Sequence, residues 1–390
     1  MPRVDPVIAP TSRIAGLCHS ILRGEPYDTC MLSCAYCYAR WYRGPHGEPR
    51  PLRGSLEGIR LAHELAREHG ILLPVRIATL SDPFQPVESK YRASLRLLRY
   101  ALKRGVPVIL NTRLPPPSRR HRRVLRDLAS SNLLLVQVTL TGHERVWRLL
   151  RRLEPYSPSP RERLGIAYSY AGLGAPVMVR LQPFMPGLTD RLVEDLLDGV
   201  RIAEARGVIF EAIRGEPELL ERLPKPALYP GRLHWCEYAE GARIRHPCWS
   251  YLLSLAGLLS RLSKARSLAF QTCKEGLFHL HHPSGMDCCG TTLLGPRIWR
   301  RPHLWDVYLA LREAGRPLEP EEAFERACRR RERLACGERL EGVKGYLGVM
   351  LRAHERRLKR ILARGDVLEK LTPLMRVEEG LLHLTWPLTR

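Results

Sequence analysis

Three cysteines within eight residues carry the clearest chemical signal in the sequence. Cys30, Cys34 and Cys37 are separated by three and then two residues. One short loop can bring their thiolates together at low entropic cost, and such a set can bind an iron–sulfur cluster. Because a fully ligated cluster normally has four cysteines, three leave one iron open to another ligand. The alternative is a closed zinc site completed by a distant Cys or His.

Five more cysteines lie within 54 residues, in a region that also contains several histidines. They are Cys236, Cys248, Cys273, Cys288 and Cys289. A second iron–sulfur cluster or a zinc site would fit these residue types. Adjacent cysteines do not easily bind one ion, so either Cys288 or Cys289 is a candidate free thiol and hydrogen donor. The alternative is a set of buried, inert thiols, and the isolated Cys18, Cys328 and Cys336 are expected to be packing residues.

Apolar strand patterns alternate with amphipathic helix patterns through the first 215 residues. The strand patterns cover residues 71–80, 106–111, 133–140, 176–182 and 208–213. Near-continuous apolar strands with helices between them predict a parallel sheet covered by helices. With one strand before Cys30, six βα units predict an α/β fold, a partial barrel. Reactive groups are expected where its strands run into the following loops.

The alternation ends near residue 215, which predicts three regions. Residues 1–215 form the partial barrel, and residues 216–300 form a Cys/His-rich segment with one clear helix pattern at 249–264. Residues 301–390 read as basic amphipathic helices, with a short strand expected within 379–390.

The composition indicates a polyanionic partner and a cytoplasmic location. The 63 Lys and Arg residues exceed the 40 Asp and Glu residues by 23, and such a charge favours nucleic acid or another polyanion. A heat-adapted surface is the alternative. The odd count of 11 cysteines does not fit a secreted disulfide framework. We find neither a signal peptide nor an apolar run long enough to span a membrane.

Basic runs at 119–123, 329–333 and 356–360 are candidate phosphate-binding segments. Solvated helix faces are the alternative for each run. The run at 119–123 follows the third strand of the sequence pattern, so it is expected near the mouth of the barrel.

The cysteine spacing C-x3-C-x2-C, with Tyr36 just before the last cysteine, resembles the signature of the radical SAM superfamily. This resemblance implies a [4Fe–4S] cluster whose open iron binds S-adenosylmethionine (SAM). It further implies that an electron, from a donor of flavodoxin or ferredoxin type, cleaves SAM to a 5′-deoxyadenosyl radical. That radical abstracts hydrogen from a substrate. The backbone of Tyr36 is expected to lie against the adenine.

Residues 25–190 resemble the spore photoproduct lyase-like branch of that superfamily. The matching segments are 24–40, 80–88, 126–127, 154–164 and 179–187. In the lyases proper, the hydrogen-donating cysteine immediately precedes the Ser-Asp pair, and here that position is Leu80. Leucine does not donate a hydrogen atom readily, so we predict that this chain does not repair the spore lesion.

The resemblance also implies a set of SAM-binding residues. Asp82, next to Ser81, would accept a hydrogen bond from the SAM ammonium group. The polar residues that end the third and fourth strands are candidates for contacts with ribose or carboxylate: Asn111, Thr112, Thr139 and Thr141. The alternatives are an ordinary turn for the Ser-Asp pair and ordinary strand-end positions for the other four.

Arg180 and two tyrosines complete the predicted site. A buried arginine needs an anion, and the candidates for Arg180 are the SAM carboxylate or a structural partner, Glu154 or Asp82. Tyr36 and Tyr38 match tyrosines that relay a hydrogen atom in the lyases, and packing against the cluster is their alternative.

The sequence therefore predicts a radical SAM enzyme that acts on nucleic acid or another anionic substrate. The first alternative is the same chemistry on a small molecule or a protein. The second is a non-catalytic, zinc-containing nucleic-acid-binding protein.

Overall fold

The computed structural model describes residues 18, 20, 22–39, 48–238, 243–282, 285–331 and 333–385. Within them, seven strands form one sheet in which every neighbouring pair is parallel. Six strands are adjacent in the sheet in the same order as in the sequence, and the seventh, β9, pairs with β6 at one edge of the sheet. The strands are β1 (Leu22–Gly24), β2 (Val75–Ile77), β3 (Val108–Thr112), β4 (Leu134–Leu140), β5 (Val177–Phe184), β6 (Gly207–Ala212) and β9 (Ala269–Thr272).

Helices connect these strands and cover the sheet. They are α1 (Ser55–Glu68), α2 (Glu88–Tyr91), α3 (Ala93–Arg104), α4 (Arg119–Ser130), α5 (Trp147–Leu153), α6 (Pro160–Ala171), α7 (Val193–Ile202), α8 (Pro217–Leu220) and α9 (Trp249–Ala265). The apolar side chains of α3 recur at helical spacing, so Leu95, Leu98 and Ala101 are buried on one face. Ser159 and Glu162 form a capping box that fixes the start of α6.

One face of the sheet has an apolar layer followed by a polar layer. Ile109, Leu135 and Met178, on three neighbouring strands, belong to one buried apolar cluster. Two residues further along the same strands lie Asn111, Gln137 and Arg180. Because side chains two residues apart in a strand share a face, these polar groups point the same way as the apolar layer. The polar layer lies nearer the carboxyl ends of the strands.

The predicted α/β fold is confirmed, with one strand more than the six expected. The extra strand, β9, pairs with β6 from Gly207↔Ala269 to Phe210↔Thr272. Gly207 makes this pairing feasible, because a Cβ atom there would lie 2.2 Å from the Ala269 carbonyl oxygen. β9 has only four residues and follows α9 after a three-residue connection, so the sequence pattern does not reveal it.

The segment between β6 and β9 adds a small hairpin. Strand β7 (Trp235–Glu237) pairs antiparallel with β8 (Arg245–Pro247). Helix α9 matches the helix pattern at 249–264, and its buried face contacts the main core through Leu252, Leu255 and Leu259.

The C-terminal region has an apolar cluster of its own. Four helices and a hairpin contribute side chains to this cluster. The helices are α10 (Leu304–Ala314), α11 (Pro320–Arg330), α12 (Gly345–Leu362) and α13 (Gly365–Leu371), and the hairpin is formed by β10 (Met375–Glu378) and β11 (Leu381–Leu384). The short strand expected within 379–390 is thus the second strand of a hairpin, and residues 386–390 lie outside the described part. Among the described helices, none is long and apolar enough to cross a membrane.

Candidate active site

A cavity of about 950 Å³ opens at the carboxyl ends of the strands. Thirteen candidate site residues singled out from the sequence line it: Cys30, Cys34, Tyr36, Cys37, Tyr38, Ser81, Asp82, Asn111, Thr112, Thr139, Arg180, Cys273 and Cys289. They come from the loops after β1 and β2, from the ends of β3, β4 and β5, and from the region after β9. The topology brings together groups that are up to 259 positions apart in the chain, and the cavity is large enough for a cofactor and a substrate group.

The cysteine loop is held by backbone hydrogen bonds to neighbouring elements. The Ala35 N–H donates to the Leu153 carbonyl at 2.9 Å, at the end of α5. The Met31 N–H donates to the Gln85 side chain at 2.9 Å. The Cys37 N–H donates to the Cys34 carbonyl at 3.0 Å and closes a turn between the last two cysteines. The loop is therefore fixed to the protein without a metal.

The thiols fit an iron–sulfur cluster with one open position. Burial, followed by the charge of Asp82, raises the pKa of Cys30 to about 12, so a metal cation is needed to hold its thiolate at neutral pH. Among the described residues, no three Cys, His, Asp or Glu side chains are arranged to hold a single metal ion. Three cysteines that bind three different irons need not converge on one point, so this arrangement is compatible with a cluster.

A buried ionic network supports the cysteine loop from below, and its key member is Arg113. The Arg113 guanidinium lies 2.9 Å from Cys34 Sγ and 3.3 Å from Glu154 Oε1. Glu154 also accepts hydrogen bonds from the Tyr36 hydroxyl and from Arg163. Burial opposes its ionisation, but Arg163 and Arg113 hold the pKa of Glu154 below its ordinary value.

Sequence reasoning missed Arg113 and the role of Glu154. The only available signal was the match over 154–164, which contains Glu154 and Arg163. Arg113 follows the predicted Asn-Thr pair directly and gave no signal of its own.

Asp82 is buried and held by three groups. It accepts hydrogen bonds from the Phe84 N–H at 2.9 Å, the Arg113 N–H at 2.8 Å and the Thr112 hydroxyl at 3.1 Å. Burial raises the pKa of Asp82 above its ordinary value despite these donors. Thr112 thus positions Asp82, and a cationic ligand in the cavity would favour the carboxylate form.

Ser81 is oriented by a second buried carboxylate, Glu25, which lies just after β1. The Ser81 hydroxyl is 3.4 Å from Glu25 Oε2. Glu25 also accepts the backbone N–H groups of Thr79 and Leu80, at 2.6 and 2.9 Å. The turn after β2 is therefore anchored by Glu25, as well as having the turn-forming residues expected there.

Arg180 has a different structural partner from the two expected. Its guanidinium lies 3.4 Å from Glu211 Oε2 on β6 and 3.0 Å from Gln137 Oε1 on β4, and it also donates to Gln182. Neither Glu154 nor Asp82 pairs with it, because the register places β6 beside β5 and brings Glu211 within reach.

Thr141 was also misplaced by sequence reasoning. It is fully buried, accepts a hydrogen bond from Arg163 Nη1 at 3.1 Å and does not line the cavity. It lies one residue beyond the end of β4 and supports the ionic network instead.

The two tyrosines of the cysteine loop differ in their accessibility. Tyr36 is buried, and its hydroxyl donates to Glu154. Tyr38 is 38% exposed, and its hydroxyl donates to the Thr79 carbonyl at 2.6 Å. The Lys274 ammonium lies 5.6 Å from the centre of the Tyr38 ring. Tyr38 therefore has better access to a ligand, while Tyr36 is held as a packing and hydrogen-bonding residue.

The second cysteine-rich region does not form one five-cysteine site. Cys236 and Cys248 form a disulfide that joins β7 to the start of α9. Cys273, Cys288 and Cys289 are buried free thiols, with the last two sulfurs 3.8 Å apart. The disulfide removes two of the five predicted ligands, because a bonded sulfur is no longer a thiolate.

The isolated cysteines also differ from the prediction. Cys328 and Cys336 form a second disulfide instead of packing separately. Cys18 is a free thiol that lines the cavity.

Two histidines of this second region, His246 and His281, are core groups, and burial lowers the pKa of each to about 3. His281 shares a hydrogen bond with the Thr272 hydroxyl at 2.9 Å and packs against Phe278 and Trp305. His234 and His282, by contrast, are exposed.

Exposed arginines lie on the helices that follow β3 and β4, two of the strands at whose carboxyl ends the cavity opens. Those on α4 are Arg119, Arg120, Arg122 and Arg123, and those on or just before α5 are Arg145, Arg148, Arg151 and Arg152. None of the eight forms an ion pair within the described residues. By contrast, Arg329, Arg330 and Lys359 in the C-terminal region each lie next to a glutamate.

Comparisons of sequence find relatives for about half of the chain. No model of a known protein family matches. An uncharacterized protein of Mycobacterium bovis is 26% identical over 191 residues, which are 47% of this chain and 55% of the relative. An uncharacterized protein of Methanocaldococcus jannaschii is 25% identical over 170 residues, which are 42% of this chain and 60% of the relative. The match thus spans little more than half the length of these curated relatives.

Comparisons of structure find the same fold in solved proteins. A spore photoproduct lyase double mutant with bound AdoMet and dinucleoside spore photoproduct aligns with a TM-score of 0.51 at 14% identity, over 65% of this chain and 76% of that chain. A single mutant of the lyase with dinucleoside spore photoproduct aligns with a TM-score of 0.50 at 15% identity, over the same shares. The chain therefore has the fold of spore photoproduct lyase.

Proposed function

We propose that the chain is a radical SAM enzyme. The observation that carries this proposal is that Cys30, Cys34 and Cys37 open from one loop into the cavity that also contains Asp82 and Arg180. These cysteines would hold a [4Fe–4S] cluster with one open iron. When bound and reduced, the cluster supplies the electron that cleaves SAM to a 5′-deoxyadenosyl radical, which abstracts hydrogen from the substrate.

The residues of the chain would bind and orient SAM by charge. Asp82 would accept a hydrogen bond from the ammonium group, and Arg180 would bind the carboxylate. Asn111 and Thr139 line the cavity beside Arg180 and would contact the ribose or the carboxylate. Arg113 would position Cys34 through their contact, and the backbone of Tyr36 would lie against the adenine.

The substrate we favour is a nucleic acid. Eight exposed arginines without ion-pair partners lie on α4 and on or just before α5, and an exposed Tyr156, 69% accessible, follows α5. Cations of this kind contact phosphates, and an exposed aromatic ring can stack on a base. A small-molecule or protein substrate would not require this surface. The partner that delivers the electron would be of flavodoxin or ferredoxin type, in the cytoplasm.

The reaction is proposed to differ from that of the lyase whose fold it shares. Leu80 lines the cavity at the position before Ser81, where the lyases proper have a cysteine. A hydrocarbon side chain does not return a hydrogen atom to a product radical as a thiol does. The proposal therefore covers SAM cleavage and hydrogen abstraction, on a lesion or base other than the spore photoproduct.

The proposal is tested by anaerobic reconstitution with iron and sulfide, followed by incubation with SAM and dithionite. We expect brown protein that forms 5′-deoxyadenosine, and a Cys34→Ser variant that forms none above background. Colourless protein that binds zinc, or iron-loaded protein without 5′-deoxyadenosine, would contradict the proposal.

The nucleic-acid substrate is tested separately by titration of single-stranded DNA and RNA against salt. Each phosphate-contacting arginine lost should reduce the slope of log affinity against log salt by about 0.7. We expect the Arg122→Gln, Arg123→Gln double variant to show this reduction, with Arg329→Gln as the ion-paired control. Equal slopes in all three proteins would contradict the assignment of this surface.

A further inference from the structure

We propose that the cavity contains a second subsite, which binds an anionic group of the substrate, a phosphate or a carboxylate. The inference rests on the proposed function, because it uses the charge of SAM. The subsite is a cationic wall of Arg76, Arg180, Arg214 and Lys274, all of which line the cavity. They come from β2, β5, the segment after β6 and the segment after β9.

Three members of the cationic wall share one carboxylate. Glu211 lies 3.4 Å from Arg180, 2.8 Å from Arg214 and 3.2 Å from Lys274. These cations hold the pKa of Glu211 below its ordinary value although burial opposes this, so it is ionised at neutral pH. One carboxylate cannot neutralise three cations.

A second carboxylate contributes only part of a charge. Glu275 is buried and lies 3.0 Å from Arg214, and burial raises its pKa to about 7. It is therefore ionised about half of the time at neutral pH. Its Oε1 accepts hydrogen bonds from Arg214 and from the Ala212 N–H, and its Oε2 has no hydrogen-bond partner among the described residues.

Arg76 is the deepest member of the wall and has no carboxylate partner within the described residues. It donates to the Ser20 hydroxyl at 3.0 Å, to Asn111 Oδ1 at 3.0 Å, to Gln137 Oε1 at 2.8 Å and to Cys289 Sγ at 2.9 Å. A buried guanidinium is costly without an anion. Even with Cys289 as a thiolate, the four cations face two full negative charges.

SAM does not account for this excess. It has one carboxylate but also an ammonium and a sulfonium group, so its net charge is positive. Its carboxylate can neutralise Arg180 and Asp82 can neutralise its ammonium group, but its sulfonium group adds a positive charge to the cavity. A second, anionic ligand is the partner that restores the balance.

The wall is rigid enough to select such a ligand. Gln137 accepts hydrogen bonds from both Arg76 and Arg180, and its amide nitrogen donates to the Cys289 carbonyl at 2.7 Å. Lys274, by contrast, has a flexible stem and lies at the more open side of the wall, near Tyr38. We therefore expect Arg76 to orient the anion and Lys274 to adjust to it.

The test is calorimetric titration of the reconstituted, SAM-loaded protein with inorganic pyrophosphate and, separately, with glutarate at low ionic strength. We expect one of the two probes to bind at one site. Arg76→Gln and Lys274→Gln should each weaken it at least tenfold, while Lys274→Arg stays within about threefold. Lys103→Gln, on the exposed face of α3, is the matched control and should bind as the parent protein does.

Three outcomes would overturn the subsite. The first is that neither probe binds. The second is equal binding in all variants, which would place the probe on the exposed arginines. The third is displacement of the probe by SAM. The Lys274→Arg variant keeps the test valid if Arg76→Gln does not fold. Formation of 5′-deoxyadenosine is measured on the same samples. If SAM is cleaved but no probe binds, only the proposed subsite is wrong. If a probe binds but SAM is not cleaved, the proposed function is wrong.

Discussion

The two cysteine-rich regions contain similar residues but have different structures. Cys30, Cys34 and Cys37 lie in one loop, all three line the cavity, and Arg113 contacts the middle sulfur. In the second region a disulfide takes two cysteines and three stay buried as free thiols. Proximity in sequence over eight residues predicts proximity in space, because a short loop closes at little entropic cost. Over 54 residues it does not, because a helix and a strand separate the cysteines.

The surroundings differ as well as the spacing. Arg113 contacts Cys34 in the first group, and a positively charged cluster core would replace the protons of its thiols. In the second group Arg76 contacts Cys289, and Arg180 and Lys274 lie near Cys273. We therefore propose metal chemistry for the first group, while metal binding by the three free thiols of the second group stays a prediction.

The largest effect expected concerns iron content. Removal of an outer-shell partner typically lowers metal affinity 10–100-fold. Cys34→Ser removes a ligand itself, so we expect a larger drop in affinity and a corresponding loss of bound iron. Cys289→Ser should retain the iron of the parent protein after anaerobic reconstitution. Iron and acid-labile sulfide analysis measures both, and circular dichroism checks the fold. Equal losses in the two variants would break the comparison, because they would place a cluster in the second region.

The next effect concerns the network below the cysteine loop. Glu154→Gln leaves Arg163 and Arg113 buried without their carboxylate, so we expect a loss of about 3–5 kcal/mol in the free energy of unfolding. Tyr36→Phe removes one hydrogen bond to the same carboxylate and should cost about 1.5–3 kcal/mol. Urea denaturation of the metal-free protein measures both. Equal costs, or none, would show that the network does not hold the loop.

A smaller effect is expected from the disulfide in the second region. The Cys236→Ser, Cys248→Ser double variant loses a cross-link between residues 12 positions apart, which should cost about 2–4 kcal/mol in unfolding free energy. Iron content should not change. Unfolding under non-reducing conditions provides the measurement, with the reduced parent protein as the reference. Loss of iron without loss of stability would restore the metal-site prediction for this pair.

The smallest effect concerns acid stability. The folded protein holds His281 with a pKa of about 3, below the value of about 6.5 for an exposed histidine. Between these values the unfolded chain binds a proton that the folded chain does not, so stability falls as pH decreases below about 6.5. The slope is at most about 1.4 kcal/mol per pH unit.

A His281→Gln variant should lose the part of the pH dependence of stability that comes from His281. Its amide group can still form a hydrogen bond with the Thr272 hydroxyl. Urea denaturation at pH 7, 6 and 5 measures the difference. EDTA at pH 7 should leave the parent protein's stability unchanged, because the histidine contacts protein groups only. A drop in stability with EDTA would indicate a metal ligand.

The alternation of apolar strand patterns and amphipathic helix patterns in the sequence was sufficient to predict the α/β fold. It also predicted at which end of the sheet the site lies. Its strands are long enough, up to eight residues in β5, for the pattern to be unambiguous. β9 was missed because a strand of four residues carries little periodic pattern of its own. Strand-end residues such as Asp82 and Asn111 could be placed in the cavity from the topology alone.

Pairwise contacts could not be predicted in the same way. Arg180 pairs with Glu211 because of the register between β5 and β6, and register depends on packing across the sheet. Arg113 contacts Cys34 across 79 positions of the chain, which neither spacing nor periodicity encodes. Thr141 lies one residue beyond the end of β4, and this shift of one position places its side chain in the core instead of the cavity.

The most direct test of the account is electron paramagnetic resonance of the reduced, reconstituted protein during titration with SAM. The account predicts a [4Fe–4S] signal that changes shape as SAM binds the open iron, and a weaker response in Asp82→Asn, which lacks the carboxylate for the ammonium group. A cluster signal that SAM leaves unchanged, or a protein with no reducible cluster, would contradict it.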